Sequence, residues 1–257
     1  MKIISFNIGI KIDNSRQVGE YLKAQAADIV CLQEVVRPLD PNVHPLYRSE
    51  ETIRRILGED YPYYFFAPEW VADKHTEPSG LRNKDFGGMV EQGKLILSKY
   101  PIVHGYNYFY HKNYEFDRDR TNFYNGDDHG RALQICDIEV GGSIIQVANV
   151  HGTWSADKLD SERSIRQSEF ILERLQEKNM PSILLGDFNV LLRTESISLI
   201  SKHFNNINAI FNIPSTRPKG EAIDFIFLSQ GLSARKMTVE EIEISDHYPL
   251  ILEISDL

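Results

Sequence analysis

Residues 182–189 read SILLGDFN, an apolar run that ends directly in Asp187 and Asn189. A short continuous apolar run followed by turn residues is typical of a strand that is buried on both faces. A carboxylate is costly to bury without partners, so we expect Asp187 to lie at the end of this strand, on a partly wet rim of the sheet. The stretch therefore predicts a buried strand whose carboxyl end carries polar groups.

Three other apolar runs lead into a polar residue in the same way. They are IISF before Asn7, IVCLQ before Glu34 and IIQVANV before His151. A further motif, SDH at residues 245–247, puts a carboxylate beside an imidazole just before the last apolar strand. Ligands of open α/β sheets bind at the carboxyl ends of strands, so we expect all these side chains to share one rim.

Each of these residues also has an ordinary structural interpretation. Glu34 alone is typical of an exposed acid, His151 of a satisfied structural histidine, and Asp187 of an Asx-turn residue. Asp224 is harder to explain in this way, because it lies inside the apolar stretch AIDFIF. A carboxylate there needs a strong partner, and the sequence offers His247 for that role.

The hydrophobic pattern predicts a mixed α/β fold. Apolar residues at helical spacing predict helices over 15–26, 52–57 and 161–178. Predicted strands cover residues 2–6, 27–32, 63–67, 95–97, 131–140, 143–150, 182–185, 223–228 and 249–254. Gly141-Gly142 suits a two-residue hairpin turn between two of them. Hairpins and helical crossovers thus alternate, and no linker-like stretch divides the chain, so we expect one domain over residues 1–257.

Two segments break the pattern and are interpreted as long loops. Residues 68–92 are polar and contain Gly87-Gly88, and residues 105–130 carry eight Tyr and Phe between Tyr106 and Tyr124. Long irregular segments in a compact domain are usually functional or mobile. The aromatic segment would either stack on bases or grip a hydrophobic group, or pack over the edge of the core.

The composition is that of a folded soluble protein with an acidic surface. The chain has 257 residues, 42% hydrophobic and 25% charged, with a net charge of −9. This charge argues against non-specific binding of polyanions. Both cysteines lie in apolar runs and suggest neither a disulfide framework nor a zinc site. We find no apolar run of about 18 residues and no signal-peptide pattern, so we expect a cytoplasmic location and no membrane insertion.

The polar residues at the strand ends predict metal-assisted phosphoryl transfer. Oxygen donors without cysteine or a close pair of histidines favour Mg²⁺ or Mn²⁺ over Zn²⁺. Such chemistry needs charge neutralisation on the phosphate, an oriented water and a donor to the leaving oxygen. The sequence contains no GxxxxGK[ST], GxGxxG or GxSxG motif, which removes the usual support for P-loop, dinucleotide-binding and serine-hydrolase functions.

Six motifs in this order resemble those of the endonuclease/exonuclease/phosphatase superfamily: FN (6–7), LQE (32–34), NVH (149–151), GDFN (186–189), IDFIF (223–227) and SDH (245–247). The superfamily includes deoxyribonucleases, abasic endonucleases, sphingomyelinases and inositol phosphatases. The resemblance implies a four-layer α/β sandwich, in which two packed mixed β-sheets are flanked by helices. It also implies a Mg²⁺-dependent hydrolase of phosphoric esters.

The resemblance assigns a metal-binding and a substrate-binding role to individual residues. Glu34 would be the principal ligand of Mg²⁺, with Asn7 in or beside its coordination shell and Asp246 contributing to a metal position. Arg131 would contact a phosphate oxygen, although a structural ion pair explains it equally well.

The resemblance assigns catalytic roles as well. Asp187 and Asn189 would orient or deprotonate the attacking water and hold the phosphoryl group. His247, held by Asp224, would either activate that water or stabilise the transition state. His151 would lie near the phosphate or the leaving group.

The sequence leaves the substrate to the loops, because the same catalytic set serves several substrate classes. The favoured hypothesis is a phosphodiesterase that acts on nucleic acid ends or nucleotides, since neither a membrane-docking helix nor a second domain is evident. The alternatives are a phosphomonoesterase for sugar or inositol phosphates, and an inactive binding protein on the same fold.

Overall fold

A computed structural model describes residues 1–9, 14–76, 83–115 and 130–255 of the chain. The strands are β1 (Lys2–Asn7), β2 (Ile29–Pro38), β3 (Tyr63–Thr76), β4 (Asn83–Ser98), β5 (Ile102–His111), β6 (Arg131–Val140), β7 (Ser143–His151), β8 (Ser182–Asp187), β9 (Asn205–Asn206), β10 (Asp224–Leu228), β11 (Ala234–Val239) and β12 (Leu250–Ile254). The helices are α1 (Ser15–Gln25), α2 (Ser49–Leu57), α3 (Glu162–Gln176), α4 (Glu195–Ser201) and α5 (Ile207–Ile210), with 3₁₀ turns at Pro45–Tyr47 and Gly58–Asp60.

The strands form two mixed sheets of six strands each. The first sheet has the order β11-β12-β1-β2-β4-β3, and the second has the order β5-β6-β7-β8-β10-β9. Each sheet contains one parallel pair, β1 with β2 and β7 with β8, and every other pairing is antiparallel among the described residues. A helix connects the two strands of each parallel pair, because parallel neighbours need a crossover.

Alternating apolar side chains of each strand pack into different layers. Ile3 of β1 packs between the two sheets, whereas Ile4 packs outward against Val18 of α1. On the far side of the second sheet, α3 and α4 contribute Ile171 and Ile197 to a third apolar cluster. This alternation follows from the two-residue period of a strand. The layers run helices, sheet, sheet, helices, which confirms the predicted four-layer α/β sandwich.

Local sequence signals explain where several elements begin and end. The hydroxyl of Ser161 accepts a hydrogen bond from the backbone N–H of Ser164 (3.1 Å), and the hydroxyl of Ser164 accepts one from the N–H of Ser161 (2.8 Å). This capping box places Ser161 before the first residue of α3. Gly141 and Gly142 have φ values of 59° and 83°. A type I′ turn requires positive φ at both positions, so the predicted hairpin between β6 and β7 is confirmed.

The two parallel strand pairs bring the polar strand ends together. In the first sheet Asn7 is opposite Gln33, and in the second sheet His151 is opposite Asp187. Asp224 is in turn opposite Asp187 on the antiparallel neighbour β10. His151, Asp187 and Asp224 therefore form one row across three adjacent strands.

A β-bulge in β2 sets the direction of Glu34. The register with β4 shifts between Leu32, opposite Leu95, and Val35, opposite Gly93. Two residues of β2 thus face one residue of β4, and Glu34 takes up a left-handed conformation with φ 59°. A non-glycine residue in this region is strained, and such strain is found at functional sites. The bulge places Glu34 in the interior of a strand that continues to Pro38, beyond the predicted end of this strand.

The interpretation of residues 68–92 and 105–130 as long loops is wrong for most of their described parts. β3 and β4 form a long hairpin ladder that reaches Thr76 paired with Asn83, and β5 continues to His111. The ladder between β3 and β4 shifts register twice, which breaks the alternation that would have shown these strands in the sequence. Residues 77–82 and 116–129 lie outside the described part of the chain.

Further elements were not predicted from the sequence. They are α4, α5, β9 and β11, and each is short or lies at an edge of a sheet. Among the described residues, no helix is both long enough and apolar enough to cross a membrane.

We predict that Gly93→Ala destabilises the fold at the site-bearing bulge. A Cβ at this position would lie 2.2 Å from the carbonyl oxygen of Ala67 on β3, so the two backbones would have to separate. The free energy of unfolding should fall by about 3 kcal/mol, as for an overpacked core. Urea denaturation measures the loss. The matched control is Gly231→Ala, where φ is +95° and no atom lies within 4 Å. This control should cost only about 1–2 kcal/mol, the penalty of a Cβ at positive φ, and an equal loss in both variants would contradict the prediction.

Candidate active site

Asp187 lies at the centre of the polar cluster and is almost completely buried. Its Oδ1 accepts a hydrogen bond from the backbone N–H of Asn189 (2.8 Å), and its Oδ2 lies 3.1 Å from the amide nitrogen of Asn7. Two imidazoles flank Oδ2, with Nε2 of His247 at 3.7 Å and Nε2 of His151 at 3.9 Å. The carboxylate therefore faces donors from both sheets.

Asn7 joins the two sheets at the site. Its amide nitrogen donates to Oδ2 of Asp187 (3.1 Å) and to Oε1 of Glu34 (3.2 Å). Its Oδ1 accepts a hydrogen bond from the N–H of Gly9 (3.0 Å). Glu34 and Asp187 thus share one amide donor, although they come from different sheets and are 153 positions apart in the sequence.

Asp224 and His247 form the dyad that the sequence suggested. Nδ1 of His247 lies 3.0 Å and 2.9 Å from the two carboxylate oxygens of Asp224. Thr216 donates its hydroxyl to Oδ2 of the same carboxylate (2.6 Å). The dyad fixes the imidazole, so that Nε2 of His247 is directed to Asp187.

Mutual electrostatics set the protonation of this group. Burial lowers the pKa of His247, but the negative charges of Asp224 and Asp187 outweigh it and raise the pKa to about 9. Burial raises the pKa of Asp187, yet the positive charges of His247 and Lys158 and the hydrogen bond from the N–H of Asn189 bring it below its usual value. Burial also raises the pKa of Asp224, and there it prevails over the attraction of His247. At neutral pH the metal-free site therefore pairs an imidazolium with the Asp187 carboxylate.

His151 is oriented by Arg131. Nη1 of Arg131 lies 2.7 Å from Nδ1 of His151, and both side chains are buried. Arginine can only donate, so Nδ1 accepts and the neutral ring carries its proton on Nε2. That atom faces Oε1 of Glu34 at 3.6 Å and Oδ2 of Asp187 at 3.9 Å. In the structure Arg131 thus contacts His151, which is another residue of the site.

A buried ion pair behind His151 was missed by the sequence analysis. Nζ of Lys94 donates to Oε1 of Glu69 (2.6 Å), and both side chains are completely buried. Oε2 of Glu69 lies 3.6 Å from Nδ1 of His151 and 4.0 Å from Nη1 of Arg131. The signal that would have identified Lys94 is its place directly before the apolar run LIL, since a charge in such a run needs a partner.

The charges of Glu69, Lys94 and Arg131 depend on one another. Burial raises the pKa of Glu69, but the charge of Lys94 and the neighbouring donors bring it far below its usual range. Burial lowers the pKa of Lys94, and Glu69 partly offsets this. Glu69 is therefore the counter-charge for Lys94 and also for Arg131, which carries the hydrogen bond to His151.

Two more cations near the site were missed, and no periodic signal marks either. Nζ of Lys158 donates to Oδ1 of Asn189 (2.7 Å). The guanidinium of Arg217 lies 3.4 Å from Oδ2 of Asp246 and 3.2 Å from Oε2 of Glu221. Asp246 itself is half-exposed, with 48% of its side chain accessible. The turn before β12 is thus tied to the loop that carries Arg217.

The donor set fits a hard divalent cation. Glu34 and Asp187 present carboxylate oxygens to the same point, where Asn7 now bridges them, and Glu34 is partly open to solvent. Asp187, Asp224 and His247 also lie within 4.8 Å of one another and could hold an ion. We favour the position near Glu34. An ion held by Asp187, Asp224 and His247 would compete with the hydrogen bond between Asp224 and His247. Carboxylate oxygens are typical ligands of Mg²⁺.

Comparison with known proteins identifies the family. The model of the Endonuclease/Exonuclease/phosphatase family matches residues 4–247, which is nearly the whole chain. The chain belongs to the endonuclease/exonuclease/phosphatase family. Members of this family hydrolyse phosphoesters, and the resemblance inferred from the six motifs is confirmed. A search of curated proteins found no match.

Solved structures share the fold of this family member at low sequence identity. An endonuclease/exonuclease/phosphatase from Beutenbergia cavernae DSM 12333 aligns with a TM-score of 0.72 and 18% identity, over 99% of this chain and 71% of that one. A mannosyl-6-phosphatase from Bacteroides thetaiotaomicron VPI-5482 aligns with a TM-score of 0.64 and 15% identity over 100% of both chains. TDP2 of D. rerio, humanized by 14 mutations, aligns with a TM-score of 0.68 and 15% identity, over 100% of this chain and 99% of that one.

We predict that Glu69→Gln strongly destabilises the protein. The variant leaves Lys94 buried without its counter-charge and removes the carboxylate beside Arg131, which should cost about 3–5 kcal/mol in the free energy of unfolding. Urea denaturation measures this loss. The control is the double variant Glu69→Gln with Lys94→Met, which removes one charge of each sign and should recover part of the stability. A loss below about 1 kcal/mol in the single variant would refute the role of Glu69.

We predict that the metal-free protein loses stability between about pH 6.5 and pH 9. The pKa of His247 is raised in the folded state, so its contribution is complete below the unfolded pKa and disappears as the pH rises through the folded value of about 9. The loss should reach up to about 3 kcal/mol. Urea denaturation with a chelator at a series of pH values measures it. His247→Gln should flatten the profile, and a flat profile in the unsubstituted protein would disprove the prediction.

Proposed function

We propose that this protein is a divalent-metal-dependent phosphoester hydrolase that cleaves a P–O bond by in-line attack of water, without a covalent enzyme intermediate. The observation that carries the proposal is the position of Asp187 between two imidazoles, with an amide bridge to Glu34. A positioned carboxylate can accept a proton from water, while adjacent cations stabilise the charge that develops on the phosphoryl oxygens.

Asp187 is proposed as the general base and His247 as a stabiliser of the transition state. Neighbouring carboxylates raise the pKa of His247 to about 9, which favours the protonated imidazole at neutral pH and leaves Asp187 as the proposed acceptor for the proton of the water. As an imidazolium held by Asp224, it can instead donate from Nε2 to a phosphoryl oxygen. Asn189 would hold the phosphoryl group, and Nε2 of His151, on the opposite side of Asp187, would donate to the phosphate or to the leaving oxygen.

Glu34 is proposed as the principal ligand of Mg²⁺ or Mn²⁺, with Asn7 and Asp246 contributing to the metal position. When bound, the ion supplies neutralisation of phosphoryl charge and activation of water. To ligate it, the amide of Asn7 would have to present its oxygen, which now accepts from Gly9. Arg131 is proposed to bind the substrate. Two expectations from the sequence stay predictions. One is that residues 1–257 form a single domain, and the other is that the protein is cytoplasmic.

The proposed substrate is a phosphodiester of a nucleic acid end or a nucleotide. The acidic chain disfavours long polyanions, so a nucleic acid end or a nucleotide fits it better than an extended nucleic acid. A phosphomonoester of a sugar is the second candidate, because a mannosyl-6-phosphatase has the same fold over its full length.

We predict that Glu34→Ala, Asp187→Asn and His247→Ala each lower kcat by about two decades or more, by analogy with the loss of other preorganised charge-stabilising groups. Because these groups act mainly on the transition state, kcat should fall more than KM rises. Steady-state kinetics with Mg²⁺ measure both. The control variants Glu241→Ala and His203→Ala change exposed residues and should retain full activity. Near-normal turnover in all three site variants would overturn the proposal.

The substrate class is tested with a pair of chromogenic esters. Turnover of a phosphodiester that exceeds turnover of the matched phosphomonoester, and that disappears with a chelator, would support the favoured candidate. The reverse order would select the second candidate. Absence of both Mg²⁺ binding and hydrolysis across a panel of phosphoesters would instead indicate an inactive binding protein.

A further inference from the structure

The loop between β7 and α3 holds Lys158 in an unusual backbone conformation. Its φ is 57°, in the left-handed region that residues other than glycine seldom adopt. Its carbonyl oxygen accepts a hydrogen bond from the N–H of Leu191 (2.8 Å), which fixes the loop to the segment after β8. Such strain is retained where the surrounding structure imposes it, and it is concentrated at ligand-binding sites.

The ammonium group of Lys158 is buried next to the catalytic carboxylate. Only 6% of the residue is exposed, and Nζ donates to Oδ1 of Asn189 at 2.7 Å. The same Asn189 side chain lies 3.3 Å from Oδ2 of Asp187 through its amide nitrogen. The ring of Trp154, with its centroid 5.0 Å from Nζ, lies near the ammonium.

This environment does not use the full hydrogen-bonding capacity of Lys158. An ammonium group has three N–H donors, and one donor finds an acceptor among the described residues. That acceptor is a neutral amide, and the negative charge of Asp187 stabilises the ammonium only from beyond hydrogen-bonding distance. Arg217 and Arg131 have other contacts, since Arg217 is paired with Asp246 and Arg131 is bonded to His151.

We propose that Lys158 is a substrate-binding residue whose remaining N–H donors bind non-bridging oxygens of the phosphoryl group beside Asn189. The proposal rests on the proposed function and adds a specific cation to it. An anionic oxygen would satisfy the remaining donors of Lys158, and the neighbouring Asn189 and Asp187 are the residues proposed to act on the phosphoryl group. Lys158 also fixes the amide orientation of Asn189, so that the nitrogen faces Asp187.

Lys158→Met tests the proposal, because Met has a similar length and no charge. We expect kcat/KM to fall about 100-fold, as after removal of one preorganised donor to a developing anion. We also expect the dissociation constant of inorganic phosphate, measured by calorimetry on the Mg²⁺-loaded protein, to rise at least about tenfold. Lys158→Arg, which keeps the charge, should retain more phosphate affinity than Lys158→Met. The exposed Lys202→Met is the matched control and should change neither quantity.

The phosphate measurement separates binding from a merely structural role. If Lys158 only positioned Asn189, activity would fall while phosphate affinity stayed within threefold of the parent protein, and the proposal would be overturned. If the Met variant does not fold, Lys158→Gln replaces it in both measurements. If the parent protein hydrolyses no phosphoester, the proposed function fails, whereas weaker phosphate binding by the Lys158 variants would still support the anion contact.

Discussion

The site depends on buried amide hydrogen bonds that hold the two sheets in one register. Nε2 of Gln33 donates to Oδ1 of Asn149 (2.6 Å), and Nδ2 of Asn149 donates to the carbonyl oxygen of Leu32 (3.1 Å). Both side chains are completely buried, so no water can replace a lost partner. Apolar side chains between two sheets tolerate a small slide of one sheet against the other. The same slide would separate these buried amides from their acceptors, which is costly. Gln33 directly precedes Glu34 and Asn149 lies two residues before His151, so these bonds fix the distance across which the site is assembled.

The same constraint explains why strain and buried charge are concentrated at this rim. Glu34 reaches the second sheet because a bulge turns it out of the ladder of β2, at the cost of a left-handed backbone. Asp187 remains charged while buried because imidazoles and amides surround its oxygens. Each feature is unfavourable in isolation and is held by the packed layers on both sides. The rigidity that the sandwich provides is thus used to keep charged groups close together before any ligand arrives.

The sequence predicted the parts of this structure that carry a local signal. Asp187 and His151 follow long apolar runs, and the carboxyl ends of such strands meet by the geometry of parallel pairing. The partnership of Asp224 with His247 followed from the cost of a carboxylate in an apolar strand. Glu69 could not be found in this way, because β3 shifts register against β4 and mixes polar with apolar residues, whereas its partner Lys94 did precede an apolar run. The edge strand β5 was missed because its half-buried aromatic residues also fit a loop packed over the core.

The distribution of charge reconciles an acidic protein with the anionic substrate proposed for it. The net charge of −9 describes the whole chain, and its field at the surface is screened within about 8 Å at physiological ionic strength. Arg131, Lys158 and Arg217 are largely buried beside the site, where screening by salt is weaker. A substrate whose charge is concentrated in one phosphoryl group experiences mainly this local field. A long polyanion would also meet the acidic surface around it, so the charge distribution favours small phosphoesters and nucleic acid ends over extended duplexes.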